Sequence, residues 1–113
     1  MTIEDFRRLA LALPAVTEGE HMAHPDFRVG KKIFATLQPE KKLGMVKLAV
    51  VEQREFVAAA PTVFSPVPGG WGRRGATYVR LKSARKAVVL RALRAAWRNA
   101  APKSLLAQLE AEM

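Results

Sequence analysis

Residues 71–81 hold the side chains of this chain that are best suited to bind another molecule. They read Trp-Gly-Arg-Arg-Gly-Ala-Thr-Tyr-Val-Arg-Leu, so an indole ring, Trp71, precedes two adjacent guanidinium groups, Arg73 and Arg74. Guanidinium groups bind phosphate oxygens through paired hydrogen bonds, and an aromatic ring stacks on a nucleobase. The pattern predicts contacts to an anionic ligand. The alternative is that Trp71 folds back on a sheet edge while the glycines serve only the turn.

Further cations follow this stretch at the start of a predicted helix. Lys82, Arg85 and Lys86 lie at or within its first turn, where the helix dipole already places partial positive charge. A phosphate bound to free backbone amides near Ser83 would relieve this repulsion. Simple tolerance is the alternative, since each misplaced cation costs only about 0.3–1 kcal/mol. The predicted nucleic-acid-binding residues are Trp71, Arg73, Arg74, Arg80, Lys82, Arg85 and Lys86.

The net charge of +9 is concentrated in the second half of the chain. Residues 1–55 hold nine Lys and Arg against eight Asp and Glu, whereas residues 56–109 hold ten basic residues and no acidic one. Such a surplus attracts polyanions. The alternative is that arginine is simply favoured on solvated faces. Three of the ten, Arg91, Arg94 and Arg98, form a secondary basic stripe along the predicted helix.

Other kinds of site find little support in the sequence. The chain has no cysteine, which excludes disulfides and thiolate chemistry. His21 and His24 make a weak metal pattern, so surface or packing roles are the better interpretation. The serines lie in no nucleophile motif, and no glycine-rich nucleotide-binding loop is present. We therefore expect no catalytic activity, no metal and no cofactor.

The elements that position these side chains are predicted from hydrophobic periodicity and from Pro and Gly positions. In chain order they are a helix at 2–13, strands at 27–29, 32–37 and 43–48, a helix at 52–60, strands at 62–67 and 76–81, a helix at 84–98 capped by Ser83, and a short helix after Pro102. A further short edge strand is expected before Pro25. The order α-β-β-β-α-β-β-α-α predicts one α+β domain over residues 1–113, a two-layer sandwich with an antiparallel sheet and helices on one face.

For two elements the sequence also predicts which side chains face the core. In the strand at 76–81, alternation places Thr77 and Val79 toward the core and Tyr78 and Arg80 on the other face. In the long helix, an apolar side that includes Leu93 lies opposite the arginine stripe.

The remaining composition bears on the setting of the protein. No run approaches the roughly 18 apolar residues of a membrane helix, and the amino terminus lacks the layout of a secretory signal. We expect a cytoplasmic protein without membrane contact, and we favour a monomer.

Three stretches of the chain match a known pattern. They are His-Pro-Asp-Phe-Arg-Val-Gly-Lys-Lys-Ile-Phe-Ala-Thr-Leu at 24–37, the stretch at 71–81 quoted above, and Trp-Arg-Asn-Ala-Ala-Pro-Lys at 97–103. In these the chain resembles the MmcQ/YjbR-like family. The resemblance implies an α-β3-α-β2-α fold plus a C-terminal helix, similar to the type III secretion chaperones, and DNA binding without catalytic residues. Many relatives carry a lysine, histidine and tryptophan arrangement where this chain has Gly-Trp-Gly-Arg-Arg at 70–74, which is a departure within the predicted contact loop.

The leading prediction is a small non-catalytic domain that binds DNA, duplex DNA in particular, through phosphate contacts with little sequence selectivity. The alternative is a chaperone-like protein-interaction module that docks an acidic peptide or a second copy of itself. Contacts between the arginine stripe and an acidic partner would favour that alternative. A third prediction is a small anion bound at the start of the long helix.

Overall fold

The computed structural model describes the backbone of residues 1–112 and the side chains of residues 1–108. The helices of this part are α1 (Ile3–Leu11), α2 (Val50–Ala59), α3 (Gly70–Arg73), α4 (Lys86–Ala100) and α5 (Lys103–Glu112). The strands are β1 (Thr17–His21), β2 (His24–Val29), β3 (Lys32–Gln38), β4 (Leu43–Lys47), β5 (Phe64–Pro66) and β6 (Ala76–Arg80). Within this part of the chain, no helix has both the length and the apolar run that a membrane crossing requires.

The strands form one sheet in the order β1-β2-β3-β4-β6-β5, and every neighbouring pair is antiparallel. This confirms the α+β architecture predicted from the sequence, and the short strand expected before Pro25 is the edge strand β1. The structure differs at residues 70–73, where the sequence predicts a turn and a loop. The chain forms the one-turn helix α3 there, because Gly69, with φ of +82°, redirects the backbone into a helical turn.

Helices α1, α2 and α4 pack on one face of the sheet, which we call the inner face. The Phe6 ring of α1 lies 6.1 Å from that of Phe27, and it rests on Gly44, where a Cβ would stand 2.6 Å from the ring. Phe56 of α2 meets Phe64 edge to face at 5.2 Å. These contacts, together with the packing of α4 on β3 and β4, build the apolar core between the two layers.

The long helix begins later than the sequence predicts. The amide of Ala84 donates to the carbonyl of Leu81 (3.2 Å) and closes a 3-10 turn, so that α4 begins at Lys86. Ser83 lies in this turn and is not the helix cap. Arg85 holds the cap position, without a capping hydrogen bond from its side chain. Burial of Leu81 and Ala84 fixes the turn, which is a tertiary effect that the capping pattern does not include.

The two-sided character of α4 is confirmed. Its inner side buries Val89, Leu93 and Trp97. Trp97 is only 4% exposed, and its Nε1 donates to the carbonyl of Pro14 (2.9 Å). The exposed side carries the secondary basic stripe of Arg91, Arg94 and Arg98.

The opposite face of the sheet, which we call the outer face, is crossed by a row of directly paired residues. The row consists of Gly19, Asp26, Thr36, Met45, Tyr78 and Ser65. Thr77 and Val79 flank Tyr78 in β6 and are fully buried, so Tyr78 points away from the core as predicted. All members of the row except Asp26 are partly exposed.

Candidate nucleic-acid interface

The structure places the predicted site residues in two groups at opposite ends of β6. The Trp71 end comprises Trp71, Arg73 and Arg74, which precede the strand, and the Arg80 end comprises Arg80, Lys82, Arg85 and Lys86, which close and follow it. The four residue steps of β6 separate the two groups by about 13 Å. All seven side chains are exposed. The predicted surface is therefore divided into two cationic patches joined by one strand.

Close glycine packing fixes the backbone of the Trp71 end. A Cβ at Gly72 would lie 1.7 Å from the carbonyl oxygen of Val67, and one at Gly75 would lie 1.8 Å from that of Leu48. Gly75 also has a φ of +112°, which residues with side chains rarely adopt. The segment 71–75, which we call the basic loop although it includes most of α3, thus rests directly on two neighbouring backbone segments. Its shape depends on glycine at both positions.

A buried glutamine of α2 holds the same loop. Nε2 of Gln53 donates to the carbonyls of Gly72 (2.9 Å) and Ala76 (3.0 Å), and the hydroxyl of Thr77 donates to the carbonyl of Gly75 (2.9 Å). Gln53 is not among the predicted site residues, because a glutamine in a helix gives no sign in the sequence that it will be buried against a loop about 20 residues away. Its two hydrogen bonds tie α2 to carbonyls on either side of Arg73 and Arg74.

The Trp71 side chain is free to contact a ligand. Its ring is 65% exposed, which is the behaviour of a surface residue rather than of one folded back into the core. The ammonium of Lys47, the last residue of β4, lies 6.0 Å from the ring centroid, at the outer limit of a cation–π contact. The Trp71 end therefore combines an open aromatic surface with a neighbouring cation.

Lys31, Lys32 and Lys47 lie at the same end of the sheet, although the sequence prediction omits them. They line an open cleft of about 390 Å³ whose other walls are Ile33, Ala96, Asn99 and Ala100. The turn between β2 and β3 and the last residue of β4 meet here because β3 lies between β2 and β4 in the antiparallel sheet. In the sequence, the Gly-Lys-Lys turn at 30–32 could have indicated a cationic site. That Lys47 lies beside this turn depends on the order of the strands in the sheet.

The Arg80 end has a partial counter-charge. Nζ of Lys86 lies 3.7 Å from Oδ1 of Asp5 in α1. Asp5 also forms a capping box with Thr2: the Thr2 amide donates to Oδ2 of Asp5, and the Asp5 amide donates to the Thr2 hydroxyl, both at 3.0 Å. Hydrogen bonds from the backbone and then the side chain of Thr2, with a smaller contribution from Lys86, lower the pKa of Asp5. One cation of this end is therefore partly neutralised.

The other cations of the second half form no ion pair with a described side chain. Among the side chains that the structure describes, Lys86 is the only one of the ten basic residues at 56–109 in an ion pair. The first half differs, since Arg7 pairs with Glu18 (3.0 Å) and Arg28 with Asp26 (2.9 Å). The hydrogen bonds to Asp26 raise the pKa of Arg28. The positive charge of residues 56–109 is therefore largely uncompensated by the described side chains, whereas part of the positive charge of residues 1–55 is paired.

His24 takes part in a different contact, with Glu40. Nε2 of His24 lies 2.8 Å from Oε1 of Glu40. The pKa of Glu40 is lowered, mainly by a hydrogen bond from the backbone amide of Glu40 itself and secondly by the hydrogen bond with His24. Within the described residues, His, Asp and Glu do not gather in groups of three or more that could hold a metal ion.

Comparison with known proteins places this geometry among its relatives. A search of curated proteins finds no match to the chain. Among solved structures, the crystal structure of Deinococcus radiodurans protein DR2400, which has a DUF419 domain, is similar with a TM-score of 0.75 and 18% identity. The likeness covers 91% of this chain and 80% of that one, and at this identity it shows a shared fold. The sequence model of the YjbR family matches residues 11–99.

Proposed function

The chain belongs to the YjbR family, and from the charge of its surface we propose that it is a non-catalytic domain that binds DNA through phosphate contacts, with little sequence selectivity. The likeness to a solved structure establishes the fold, so the proposal rests on the residues of this chain.

The observation that carries the proposal is the set of unpaired cations. Nine of the ten basic residues at 56–109 have no ion-pair partner among the described side chains. Exposed Arg and Lys groups of this kind bind phosphates and release the counterions condensed on DNA. The roughly 13 Å between the two patches corresponds to about eight phosphate charges of a duplex, so one DNA molecule can contact both.

Low selectivity follows from the chemistry of these contacts. Phosphate oxygens are the same at every base pair, so arginine and lysine side chains that bind them do not read the sequence. Trp71 supports the same proposal as a stacking or wedge residue, because every base offers a face to an aromatic ring.

Titration of a labelled oligonucleotide, followed by fluorescence anisotropy at about 50 mM and about 200 mM salt, tests the proposal. If four cations contact phosphates, the affinity should fall by about 150-fold for a duplex and by about 50-fold for a single strand over this range. Each contact adds about 0.9 to the slope of log affinity against log salt for a duplex and about 0.7 for a single strand. Affinity that is absent, or equal at both salt concentrations, would overturn the proposal.

Two double variants with the same net charge locate the contact. The variant Arg73→Ala with Arg74→Ala should weaken binding to all DNA sequences about equally. The variant Arg91→Ala with Arg94→Ala removes the same charge from the exposed side of α4 and should weaken binding less. A larger loss in the second variant would move the interface to the α4 stripe, and binding of that stripe to an acidic peptide would favour the protein-interaction alternative.

A further inference from the structure

The outer face of the sheet brings an aromatic ring between two cations. The strands β4 and β6 pair at three outward-facing levels, which are Lys47 with Ala76, Met45 with Tyr78, and Leu43 with Arg80. Successive levels are two residues apart, or about 7 Å along the strand. The Tyr78 ring therefore lies midway between the Lys47 and Arg80 levels, on the face away from the core.

Trp71 extends this arrangement at one end. Its exposed ring lies 6.0 Å from the Lys47 ammonium, at the strand end where Lys47 also borders the cleft against α4, so that aromatic and cationic groups follow one another in the order Trp71, Lys47, Tyr78 and Arg80. Single-stranded DNA has the same alternation, because each nucleotide combines a flat base with one phosphate.

The charge of the outer face fits an anionic partner. By strand alternation, Asp26 supplies the one carboxylate that the described strands place on this face. It is fully buried, and both its oxygens accept hydrogen bonds from Arg28, at 2.9 and 3.0 Å. Lys47 and Arg80 form no ion pair with any described side chain. The negative charge is thus compensated within the face, while the positive charge remains available.

We propose that the outer face binds single-stranded DNA, with Tyr78 stacking on a base between phosphates held by Lys47 and Arg80. The inference rests on the proposed function and specifies which form of DNA the domain binds. In a single strand the faces of the bases are open to an aromatic ring, whereas in a duplex they are stacked on their neighbours.

A duplex fits this face less well. Six strands spaced by about 4.8 Å make a face about 24 Å wide, which is twice the roughly 12 Å width of the major groove. Tyr78 lies on β6, an internal strand between β4 and β5, so its ring cannot enter a groove. The charge of the chain, from which duplex DNA is predicted, does not distinguish the two forms of DNA. The position of Tyr78 on an internal strand does, and it favours the single strand.

The experiment compares three oligonucleotides of equal length with the full chain: a single strand, the corresponding duplex, and a single strand built of abasic nucleotides. The abasic strand keeps every phosphate and removes the stacking partners. The intact single strand should bind more tightly than the other two. Tyr78→Thr, which retains a residue suited to a strand, should weaken binding of the intact single strand by about ten-fold and leave the abasic strand unchanged.

Tyr78→Phe is the matched control, because it keeps the ring and should bind within about two-fold of the unsubstituted protein. Urea denaturation of both variants shows whether the fold is retained. If duplex, abasic and intact strands bind equally well and Tyr78→Thr has no effect, this inference is wrong while DNA binding through phosphates stands. If no DNA binds at all, both proposals fail.

Discussion

The two ends of β6 both carry positive charge, two cations at the Trp71 end and four at the Arg80 end, on backbones that are held in different ways. At the Trp71 end, Gly72 and Gly75 rest on neighbouring carbonyls and Gln53 donates two hydrogen bonds to the loop. At the Arg80 end, the chain enters α4 without a side-chain cap, and Asp5 partly neutralises Lys86. The Trp71 end thus carries cations without an ion-pair partner among the described side chains, on a loop that is held by its neighbours. The Arg80 end carries cations of which one, Lys86, is paired, and it leads into a helix that no side chain caps.

The difference shows that equal charges need not contribute equally to binding. A cation with a carboxylate neighbour must give up part of that interaction to reach a phosphate. We therefore expect Arg73 and Arg74 each to contribute more to DNA affinity than Lys86.

The largest effect is expected from breaking the fixed loop itself. Gly72→Ala places a methyl group 1.7 Å from the carbonyl oxygen of Val67 and should lower the free energy of unfolding by about 3 kcal/mol. Gly70→Ala in the same helix is the matched control, since the atom nearest to its Cβ would be Nη2 of Arg73 at 3.8 Å. It should be neutral or stabilising by up to about 1 kcal/mol. Urea denaturation that gave the two variants equal stability would contradict the tight packing of this loop.

A smaller effect separates the two ends directly. Arg74→Ala removes a cation that has no ion-pair partner among the described side chains and should weaken DNA binding by up to about five-fold. The salt slope should fall by about 0.9 for a duplex or about 0.7 for a single strand. Lys86→Ala removes the same charge from the Arg80 end and should have less effect, because Asp5 already offsets that cation. Anisotropy titrations at several salt concentrations measure both slopes, and a larger loss for Lys86→Ala would reverse the comparison.

The smallest effect concerns Asp5 and depends on pH. The folded protein lowers the pKa of Asp5 below its usual 3.8, so the ionised carboxylate stabilises the fold above that pH and this contribution disappears as the pH falls through the lower folded value. Asp5→Asn should slightly lower the urea midpoint at neutral pH, and the difference should vanish in strongly acidic solution. The same variant frees Lys86 and should slightly strengthen DNA binding. A stability difference that persisted in strong acid would contradict this assignment.

The fold could be predicted because local patterns decide which segments become strands and helices. Alternation at 76–81 correctly places Thr77 and Val79 inside and Tyr78 outside, and the apolar side of α4 is correct although its first residue is not. The misplaced start at Ser83 shows the limit of such patterns. A capping residue has the right chemistry there, but burial of the preceding turn decides where the helix begins.

The candidate site was less predictable because it depends on distant neighbours. Lys47 joins Trp71 and Tyr78 only because β4 and β6 are adjacent in the sheet, and nothing local to Lys47 indicates this pairing. Gln53 is buried because of a loop about 20 residues away. The sequence shows which residues are cationic, but only the strand order brings Lys31, Lys32 and Lys47 to the Trp71 end.

The two tryptophans of the chain occupy opposite environments, which gives the protein a built-in optical reporter. Trp71 is 65% exposed, whereas Trp97 is 4% exposed and hydrogen-bonded to Pro14. Iodide or acrylamide should therefore quench the emission of Trp71 and leave that of Trp97 largely intact until the chain unfolds. If a ligand covers the Trp71 end, the quencher should reach Trp71 less well and its emission should be quenched less. If the chain unfolds, the emission of Trp97 should shift to longer wavelength. One unlabelled sample can thus distinguish a variant that no longer binds from a variant that no longer folds.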